Sequence, residues 1–284
     1  MTESIIDNTA LQAWIGRRET RIDVVSPVPV AGLSAALDYP VTRAGEGELL
    51  PPLWHWLFFL ATPAASELDG DGHARRGGFV PPVRLPRRMW AASEVDFVEP
   101  VRVGDALKRV SSIEAIEHKQ GRSGELVFVT LLHEVFREGR LAISERQRLV
   151  YRGAATGVSE NPSPQAAPAQ PQWSYSITPD PVLLFRYSAL TFNSHRIHYD
   201  RDYATKQEGY HGLVVQGPLT AIMLLDSLLR DVPEIQPKSF SFRGIRPLLD
   251  GNPVELQGRR GENSAELWAL DADGALAMTA TATF

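Results

Sequence analysis

Residues 191–204 read TFNSHRIHYDRDYA and bring together side chains that can exchange protons. His195 and His198 titrate near neutral pH, so each could act as an acid or a base under physiological conditions. Asn193 can donate and accept hydrogen bonds but, unlike a carboxylate, it takes up no proton. The segment is therefore a candidate acid–base site in which Asn193 either orients water or substrate, or simply closes an Asx-turn.

A second candidate group follows the histidines, where residues 217–231 read GPLTAIMLLDSLLRD. Pro218 suits the first turn of a helix, Arg230 suits its last turn, and Pro233 ends it. Free N–H groups at such an N-terminus stabilise an anionic oxygen. Pro218 has no N–H to donate, so Gly217 is the expected donor, or it is glycine only because the helix packs closely against a strand.

The elements that must position these groups can be read from the apolar residues. Residues 217–231 are apolar around most of the helix circumference, which predicts a buried helix. Residues 50–63, LPPLWHWLFFLATP, have the same character and predict a buried helix in the first half. Three strand-like segments rich in Val, Ile, Leu, Phe and Thr follow each helix, which is typical of an antiparallel meander. A short strand containing Tyr187 is expected to lead into the histidine segment.

An internal repeat divides the chain. The pattern P-x-x-x-G-[DN] occurs once in each half, with a glycine suited to the positive φ of a turn, at Pro100, Gly104, Asp105 and at Pro247, Gly251, Asn252. Between the two copies, residues 153–172 are rich in Pro, Ala, Ser and Gln, which predicts a linker. We therefore expect one domain over residues 1–152 and a second over residues 173–284.

The overall composition limits the possible function classes. Hydrophobic residues make up 43% and charged residues 22% of the chain, as in ordinary globular proteins. A net charge of −5 gives no global attraction to nucleic acid or an anionic membrane. The chain has no cysteine, no signal peptide and no apolar run of membrane-spanning length, so a cytoplasmic location is expected. No spacing typical of metal ligands occurs, which predicts no metal.

The histidine segment resembles the motif of MaoC-like, (R)-specific hydratases and dehydratases. Their frame G-D-x-N-P-I-H-x-D corresponds to F-N-S-H-R-I-H-Y-D in this chain, with Ile197, His198 and Asp200 in register. Asn193 stands in the place of the aspartate and His195 in that of the asparagine. Together with LPPLWHW in the first half, this variant is most similar to the hydroxyacyl-thioester dehydratase type 2 branch, which includes mesaconyl-CoA and itaconyl-CoA hydratases.

The resemblance implies an α+β tandem hotdog fold, in which each half is an antiparallel sheet wrapped around a long buried helix. It implies a hydro-lyase without a cofactor, acting on a short branched dicarboxylyl-CoA such as itaconyl-CoA or mesaconyl-CoA, with citramalyl-CoA as the hydrated form. A fatty-acyl 3-hydroxyacyl-thioester dehydratase and a non-catalytic thioester-binding module are the alternatives. A homodimer is also expected.

The resemblance places the catalytic residues in the second half, while the first half supplies the acyl or coenzyme A pocket. His198 is expected to be the acid–base group, with Asn193 orienting water or the acyl chain and Gly217 stabilising the thioester oxygen. His195 is expected to position His198 or to contact the substrate. Asp200 could fix the tautomer of an imidazole.

Several arginines are candidates for binding the anionic parts of a coenzyme A thioester. Arg196 and Arg243 are expected to bind a free carboxylate at the acyl end. The insert over residues 66–88 is either a solvated basic loop or a phosphate-binding segment, since guanidinium groups bind phosphate through paired hydrogen bonds. Its arginines are Arg75, Arg76, Arg84, Arg87 and Arg88.

Overall fold

The computed structural model describes residues 6–39, 43–121, 124–154 and 163–284. Within these ranges ten strands form one antiparallel sheet: β1 (Arg18–Val24), β2 (Arg87–Phe97), β3 (Ala106–Gly121), β4 (Gly124–Arg137), β5 (Arg140–Arg152), β6 (Trp173–Ile177), β7 (Ser239–Gly244), β8 (Val254–Arg260), β9 (Ser264–Leu270) and β10 (Leu276–Thr283). The α-helices of the same ranges are α1 (Asn8–Gln12), α2 (Pro27–Ala36), α3 (Pro181–Leu190) and α4 (Gly217–Asp231). Among these described helices, none is long and apolar enough to cross a membrane.

The order of the strands shows that the sheet is built from two related halves. It runs β1-β3-β4-β5-β2-β7-β10-β9-β8-β6, so the second half repeats the order of the first in reverse. β2 and β7 pair across the junction, with Ala92 opposite Arg243 and Asp96 opposite Ser239. Each half contains the predicted three-stranded meander, β3-β4-β5 and β8-β9-β10. The α+β tandem hotdog prediction is therefore confirmed.

The helix of the second half has the predicted bounds, Gly217–Asp231. It lies against β8, β9 and β10, the meander of its own half. Leu219, Ile222, Leu224 and Leu228 are each at most 1% exposed. Full burial of one such side chain contributes about 1.5–3 kcal/mol. The first turn of α4 is therefore held firmly in place by the rest of the helix.

Residues 50–63, all of which the structure describes, do not form the long buried helix predicted for the first half. They contain only a 3-10 turn, Trp54–Leu57. Leu53 and Phe59 have φ angles of 71° and 57°, left-handed values that a right-handed helix cannot contain. The helix prediction was wrong because burial alone does not require helical backbone, and this segment fills the core as an irregular chain.

The segment before the histidines is also a helix, not the predicted strand. α3 begins after Asp180, whose Oδ1 accepts a hydrogen bond from the amide of Leu183 at 2.8 Å, and Pro181 occupies its first turn. An aspartate followed by proline is a helix start signal. Tyr187 therefore lies on α3, where it is 1% exposed.

The connections between elements agree with the repeated turn. Gly104 and Gly251 have φ angles of 98° and 72°, which confirms the positive φ predicted for the two copies. β5 ends at Arg152 and β6 begins at Trp173. Residues 155–162 of the expected linker lie outside the described residues, and the division into two domains stays a prediction.

Candidate active site

The histidine segment folds as a tight turn followed by the 3-10 turn Arg196–His198. Phe192 enters it with a φ of 48°, and Oδ1 of Asn193 accepts a hydrogen bond from the amide of His195 at 3.1 Å. This is an Asx-turn, one of the two alternatives for Asn193. Asn193 also lines the cavity described below, so its role in orienting water or substrate stays a prediction.

His198 is 7% exposed, and its Nδ1 lies 2.7 Å from the carbonyl oxygen of Val214. A carbonyl oxygen only accepts hydrogen bonds, so Nδ1 carries the hydrogen and Nε2 presents a lone pair. Burial lowers the pKa of His198 to about 4, although the hydrogen bond to Val214 opposes this. The ring is thus neutral near neutral pH. The tautomer of His198 is set by Val214, whereas Asp200 pairs with Arg196 at 2.7 Å.

The N-terminus of α4 faces the same cavity as this histidine. The amide of Thr220 donates the first intrahelical bond to the carbonyl oxygen of Gln216 at 3.1 Å. The amides of Gly217 and Leu219 precede this bond and have no intrahelical partner, and Pro218 has no N–H. Gly217 itself lines the cavity. The structure therefore brings a nitrogen lone pair and the free amide of Gly217 to one cavity.

Gln216 is a residue that the sequence did not single out. It is fully buried, and its Nε2 donates to the carbonyl oxygen of Leu184 and to Oγ of Ser188, both at 2.9 Å. These bonds tie the first turn of α4 to α3, the helix that leads into the histidine segment. The side chain therefore fixes the position of the helix amides relative to His198. Its place directly before Gly217 at the helix start was the available signal.

A cavity of about 550 Å³ lies between the two halves of the chain. The second half contributes His198, His195, Asn193 and Gly217, and the first half contributes Trp56, His73, Arg88, Trp90 and Arg152. In the part of the chain that the structure describes, three arginines and three histidines line this cavity but no aspartate or glutamate does. Such a lining suits an acyl chain that carries an anionic group.

The first half reaches the histidine segment through residues 69–73, which we call the docking loop. The amide of Arg196 donates to the carbonyl oxygen of Asp71 at 2.9 Å, and Oγ of Ser194 donates to that of Gly72. Gly72 has a φ of 90°, and a Cβ atom there would collide with the carbonyl oxygen of Ser194. Glycine is therefore required on both conformational and steric grounds.

The docking loop carries His73 into the cavity. Nδ1 of His73 lies 2.9 Å from Oδ2 of Asp71, and its ring centroid lies 4.1 Å from that of His195. The ring of His195 in turn meets His198 edge-on, with centroids 5.4 Å apart. Three imidazoles from two distant parts of the chain therefore form one wall of the cavity.

The electrostatic environment keeps these imidazoles neutral. Burial lowers the pKa of His195 to about 2, and the neighbouring rings of His73 and His198 add to the shift. Burial also lowers the pKa of His73, opposed by its hydrogen bond to Asp71, while the nearby Arg88 charge lowers it further. Near neutral pH all three rings can accept a hydrogen bond or a proton.

Three of these groups have a geometry that a metal ion could use. Asp71, His73 and His195 each offer one ligand atom, and these atoms lie within 4.8 Å of one another. Carboxylate and imidazole are a common ligand pair for zinc and iron. His195 lies more than 100 residues from Asp71 and His73, which explains why the sequence spacing gave no signal. The absence of a metal stays a prediction.

The structure does not bring Arg196 and Arg243 to the cavity. Arg196 pairs with Asp200 and donates from Nη1 to the carbonyl oxygen of Gly70 at 3.0 Å, so it fastens the docking loop. Arg243 is exposed on β7, opposite Ala92 of β2. Neither side chain lines the space around His198.

Of the five arginines in the insert, the structure brings only Arg88 to the cavity. Arg76 donates to backbone carbonyl oxygens of the insert itself. Nε of Arg87 pairs with Oε2 of Glu208 at 2.6 Å. The remaining two are exposed and lie outside the cavity lining, Arg75 and Arg84.

Two arginines that the sequence did not single out also line the cavity, Arg152 and Arg246. Nη1 of Arg246 pairs with Oδ2 of Asp271 at 3.2 Å. Among the described residues, neither Arg88 nor Arg152 has a carboxylate partner within salt-bridge distance. Their charges are therefore available to an anionic ligand.

Comparisons with known proteins agree with this arrangement. The sequence profile of the family hydroxyacyl-thioester dehydratase type 2 matches residues 53–250. The mesaconyl-C(4)-CoA hydratase of Chloroflexus aurantiacus is 42% identical over 269 residues, which are 95% of this chain and 96% of that protein.

Solved structures show the same fold. HtdX from Mycobacterium tuberculosis superposes with a TM-score of 0.66 at 18% identity, covering 93% of this chain and 98% of that one. A second M. tuberculosis protein, described as a double hotdog fold, has a TM-score of 0.59 at 12% identity, covering 95% and 96%. The profile match and the 42% identical relative establish the family, while these structures show the fold. The chain belongs to the hydroxyacyl-thioester dehydratase type 2 family.

Proposed function

We propose that the protein adds water reversibly to α,β-unsaturated acyl-CoA thioesters. The observation that carries this proposal is the placement of Nε2 of His198 and the free amide of Gly217 around one cavity. Membership of the family supports the same reaction class, as does a relative whose name states that it is a mesaconyl-C(4)-CoA hydratase.

The proposed reaction uses the two groups on opposite tasks. The thioester oxygen accepts hydrogen bonds from the amides at the start of α4, while Nε2 of His198 takes a proton from water. The water oxygen bonds to the β-carbon, and the π electron pair of the double bond shifts to place negative charge on the thioester oxygen. The resulting enolate re-forms the thioester carbonyl as its α-carbon takes the proton held by His198. Each of these steps balances without a cofactor.

We propose a short branched dicarboxylyl-CoA as the substrate, itaconyl-CoA or mesaconyl-CoA, with citramalyl-CoA as the hydrated form. The enolate step applies directly to mesaconyl-CoA, whose double bond is conjugated with the thioester. The itaconyl double bond lies one carbon farther away, so a proton must first move from its α-carbon to its terminal methylene carbon. Arg88 supports this choice because it lies in the cavity beside the imidazole wall without a carboxylate partner among the described residues. Leaving a guanidinium group partly buried and unpaired is costly. A free carboxylate on the acyl group would neutralise it through paired hydrogen bonds.

The test is a panel of enoyl-CoA esters with and without a free carboxylate, assayed by the loss of enoyl-thioester absorbance. We expect hydration of the dicarboxylyl esters, and its loss in His198→Ala. Arg88→Gln should raise the KM for dicarboxylyl esters by about tenfold or more, the effect of losing a charged hydrogen-bonded pair. Arg259→Gln, which removes an exposed ion pair with Glu266, is the matched control and should change nothing.

The alternatives predict different results in the same panel. An equal rise in KM for all esters in Arg88→Gln would show that this arginine binds the coenzyme A part of the substrate and not the acyl carboxylate. A preference for long fatty acyl chains would identify a 3-hydroxyacyl-thioester dehydratase. Tight coenzyme A binding without any absorbance change would identify a non-catalytic binding module and contradict the proposal.

Two further properties belong to the proposal, a cytoplasmic location and a homodimer. The lack of cysteine in the chain supports a reducing compartment. Cell fractionation tests the location, and analytical ultracentrifugation of the purified protein tests the dimer.

A further inference from the structure

The nucleophilic water in this site needs more than one hydrogen-bond acceptor. A single contact to His198 leaves the water free to rotate, whereas two acceptors direct its oxygen lone pair at the β-carbon. The aspartate of the MaoC-like motif is absent here, and one lone pair of Oδ1 of Asn193 already accepts from the amide of His195. The place of the aspartate is therefore open to another acceptor among the residues that line the cavity.

We propose that His73, supplied by the first half and held by Asp71, is this second acceptor and orients the water for addition. This inference rests on the proposed hydration reaction. It assigns a catalytic residue to the half of the chain that was expected only to supply a pocket.

The hydrogen bonds of Asp71 fix the ring of His73 for this role. Both carboxylate oxygens are directed at this one histidine, since Oδ1 accepts from its amide and Oδ2 meets Nδ1, each at 2.9 Å. Burial raises the pKa of Asp71, but the hydrogen bonds from the ring and the amide of His73 outweigh this and hold that pKa well below the usual range. An ionised carboxylate can only accept, so Nδ1 of His73 carries the hydrogen and Nε2 presents a lone pair.

The placement of His73 distinguishes it from its neighbour His195. Both rings line the cavity together with His198. In the described part of the chain, no hydrogen bond fixes the tautomer of the His195 ring, whereas Asp71 fixes that of His73 and Val214 fixes that of His198. His73 and His198 are therefore the two rings of this wall with a lone pair fixed at Nε2.

The docking loop holds His73 in position. It is fastened to the histidine segment by the bonds from Arg196 and Ser194 described above. Arg196 thus acts on the chemistry through the loop, as a positioning residue, and not by contact with the substrate. The residues next to the catalytic histidine and the loop from the other half form a single rigid unit.

In the proposed step the water donates one hydrogen to Nε2 of His198 and the other to Nε2 of His73. The first proton moves to His198 as the oxygen bonds to the β-carbon. His73 stays neutral and keeps its hydrogen bond to the new hydroxyl group. No proton is left over, because the one held by His198 returns to the α-carbon.

The test compares substitutions at His73 and Asp71 in the full-length protein, with the best dicarboxylyl-CoA ester as substrate. His73→Ala should lower kcat by about 100-fold, at the lower end of the effect of a positioned acid–base group, with little change in KM. Asp71→Asn should lower kcat by about tenfold. The asparagine amide both donates and accepts, so it can hydrogen-bond either tautomer of His73 and no longer fixes the lone pair at Nε2. His73→Gln should recover part of the activity, since its amide oxygen can accept from water.

Two variants at exposed positions serve as controls. Asp273→Asn makes the same chemical change at an exposed position in the turn between β9 and β10, and His211→Gln changes an exposed histidine, so both should behave as wild type. Full activity in His73→Ala with none in His198→Ala would overturn this inference and leave the proposed function intact. A loss of kcat in His195→Ala but not in His73→Ala would also overturn it.

Two further results separate this inference from its competitors. Activity that is lost with a chelator and restored by Zn²⁺ would assign Asp71, His73 and His195 to a metal ion and overturn the acceptor role. A wild-type protein that hydrates no enoyl thioester would overturn the proposed function, and this inference with it.

Discussion

Replacing Gly72 by alanine tests whether the docking loop assembles the site. The added Cβ would collide with the carbonyl oxygen of Ser194, and an alanine at a φ of 90° is strained by about 1–2 kcal/mol. Undocking would break the bonds from Ser194 Oγ and from the amide of Arg196, each contributing about 0.5–1.5 kcal/mol. Together, the backbone strain and the two lost hydrogen bonds should destabilise the docked loop by about 2–5 kcal/mol, while the distant sheet stays intact.

Because the loop carries His73 and Asp71, undocking should remove both from the cavity. We expect kcat to fall by about 100-fold, as for loss of a positioned catalytic group. The melting temperature should fall by several degrees, given an unfolding entropy of about 2 cal/mol/K per residue. Steady-state kinetics and calorimetry measure the two effects separately.

Gly70→Ala is the matched control for this experiment. Its Cβ would meet no atom within 4 Å, and its carbonyl oxygen would still accept from Nη1 of Arg196. This variant should retain wild-type kcat and melting temperature. Wild-type kinetics in Gly72→Ala, or an equal loss in Gly70→Ala, would refute the reasoning that the loop must dock for catalysis.

Three other predictions concern the pH dependence, the buried acid and the helix amide. Between pH 6.5 and 4, His198 binds a proton in the unfolded chain but not in the folded chain, where its pKa is about 4. The melting temperature should therefore fall as the pH falls through this window, and it should fall less in His198→Gln. Glu145→Ala should lower the free energy of unfolding by about 3–5 kcal/mol in urea titrations, because the buried carboxylate of Glu145 binds His55, Trp56 and Ser93. Glu266→Ala removes an exposed carboxylate and should change this free energy little. Gly217→Ala should fold normally, because its Cβ would meet only the Trp90 carbonyl oxygen at 3.8 Å. The value of kcat/KM should nevertheless fall by about tenfold or more, because the methyl group displaces the thioester. Unchanged kinetics would place the thioester elsewhere.

The sequence predicted those features that depend on local pattern. The bounds of α4 follow from Pro218 at its start and from its apolar circumference, and the two meanders follow from short β-rich segments between turns. The prediction of a helix in the first half was wrong because the apolar residues at 50–63 indicate burial but do not determine the backbone conformation. Leu53 and Phe59 adopt left-handed φ values that no pattern around them signals.

The site was predictable only where its residues lie close together in the sequence. His198 and Gly217 were found because one short motif and one helix start contain them. His73 and Arg88 were not linked to His198, since more than 100 residues separate them and only the fold brings them to one cavity. The tight turn DGDGH could have suggested that Asp71 holds His73, because aspartate often bonds the backbone two residues on.

The composite site gives a physical reason for the unequal halves. A long helix packed in the first half as α4 is in the second would stabilise that half, but the chain there instead forms irregular structure and the insert that contains the docking loop. The loop can reach the histidine segment because β2 and β7 pair across the junction and hold the halves in register. Arg88, His73 and the glycine that allows the close contact with Ser194 all come from the first half. The halves could diverge because the second half supplies His198 and Gly217 while the first half supplies His73 and Arg88, so that only the two halves together line the whole cavity.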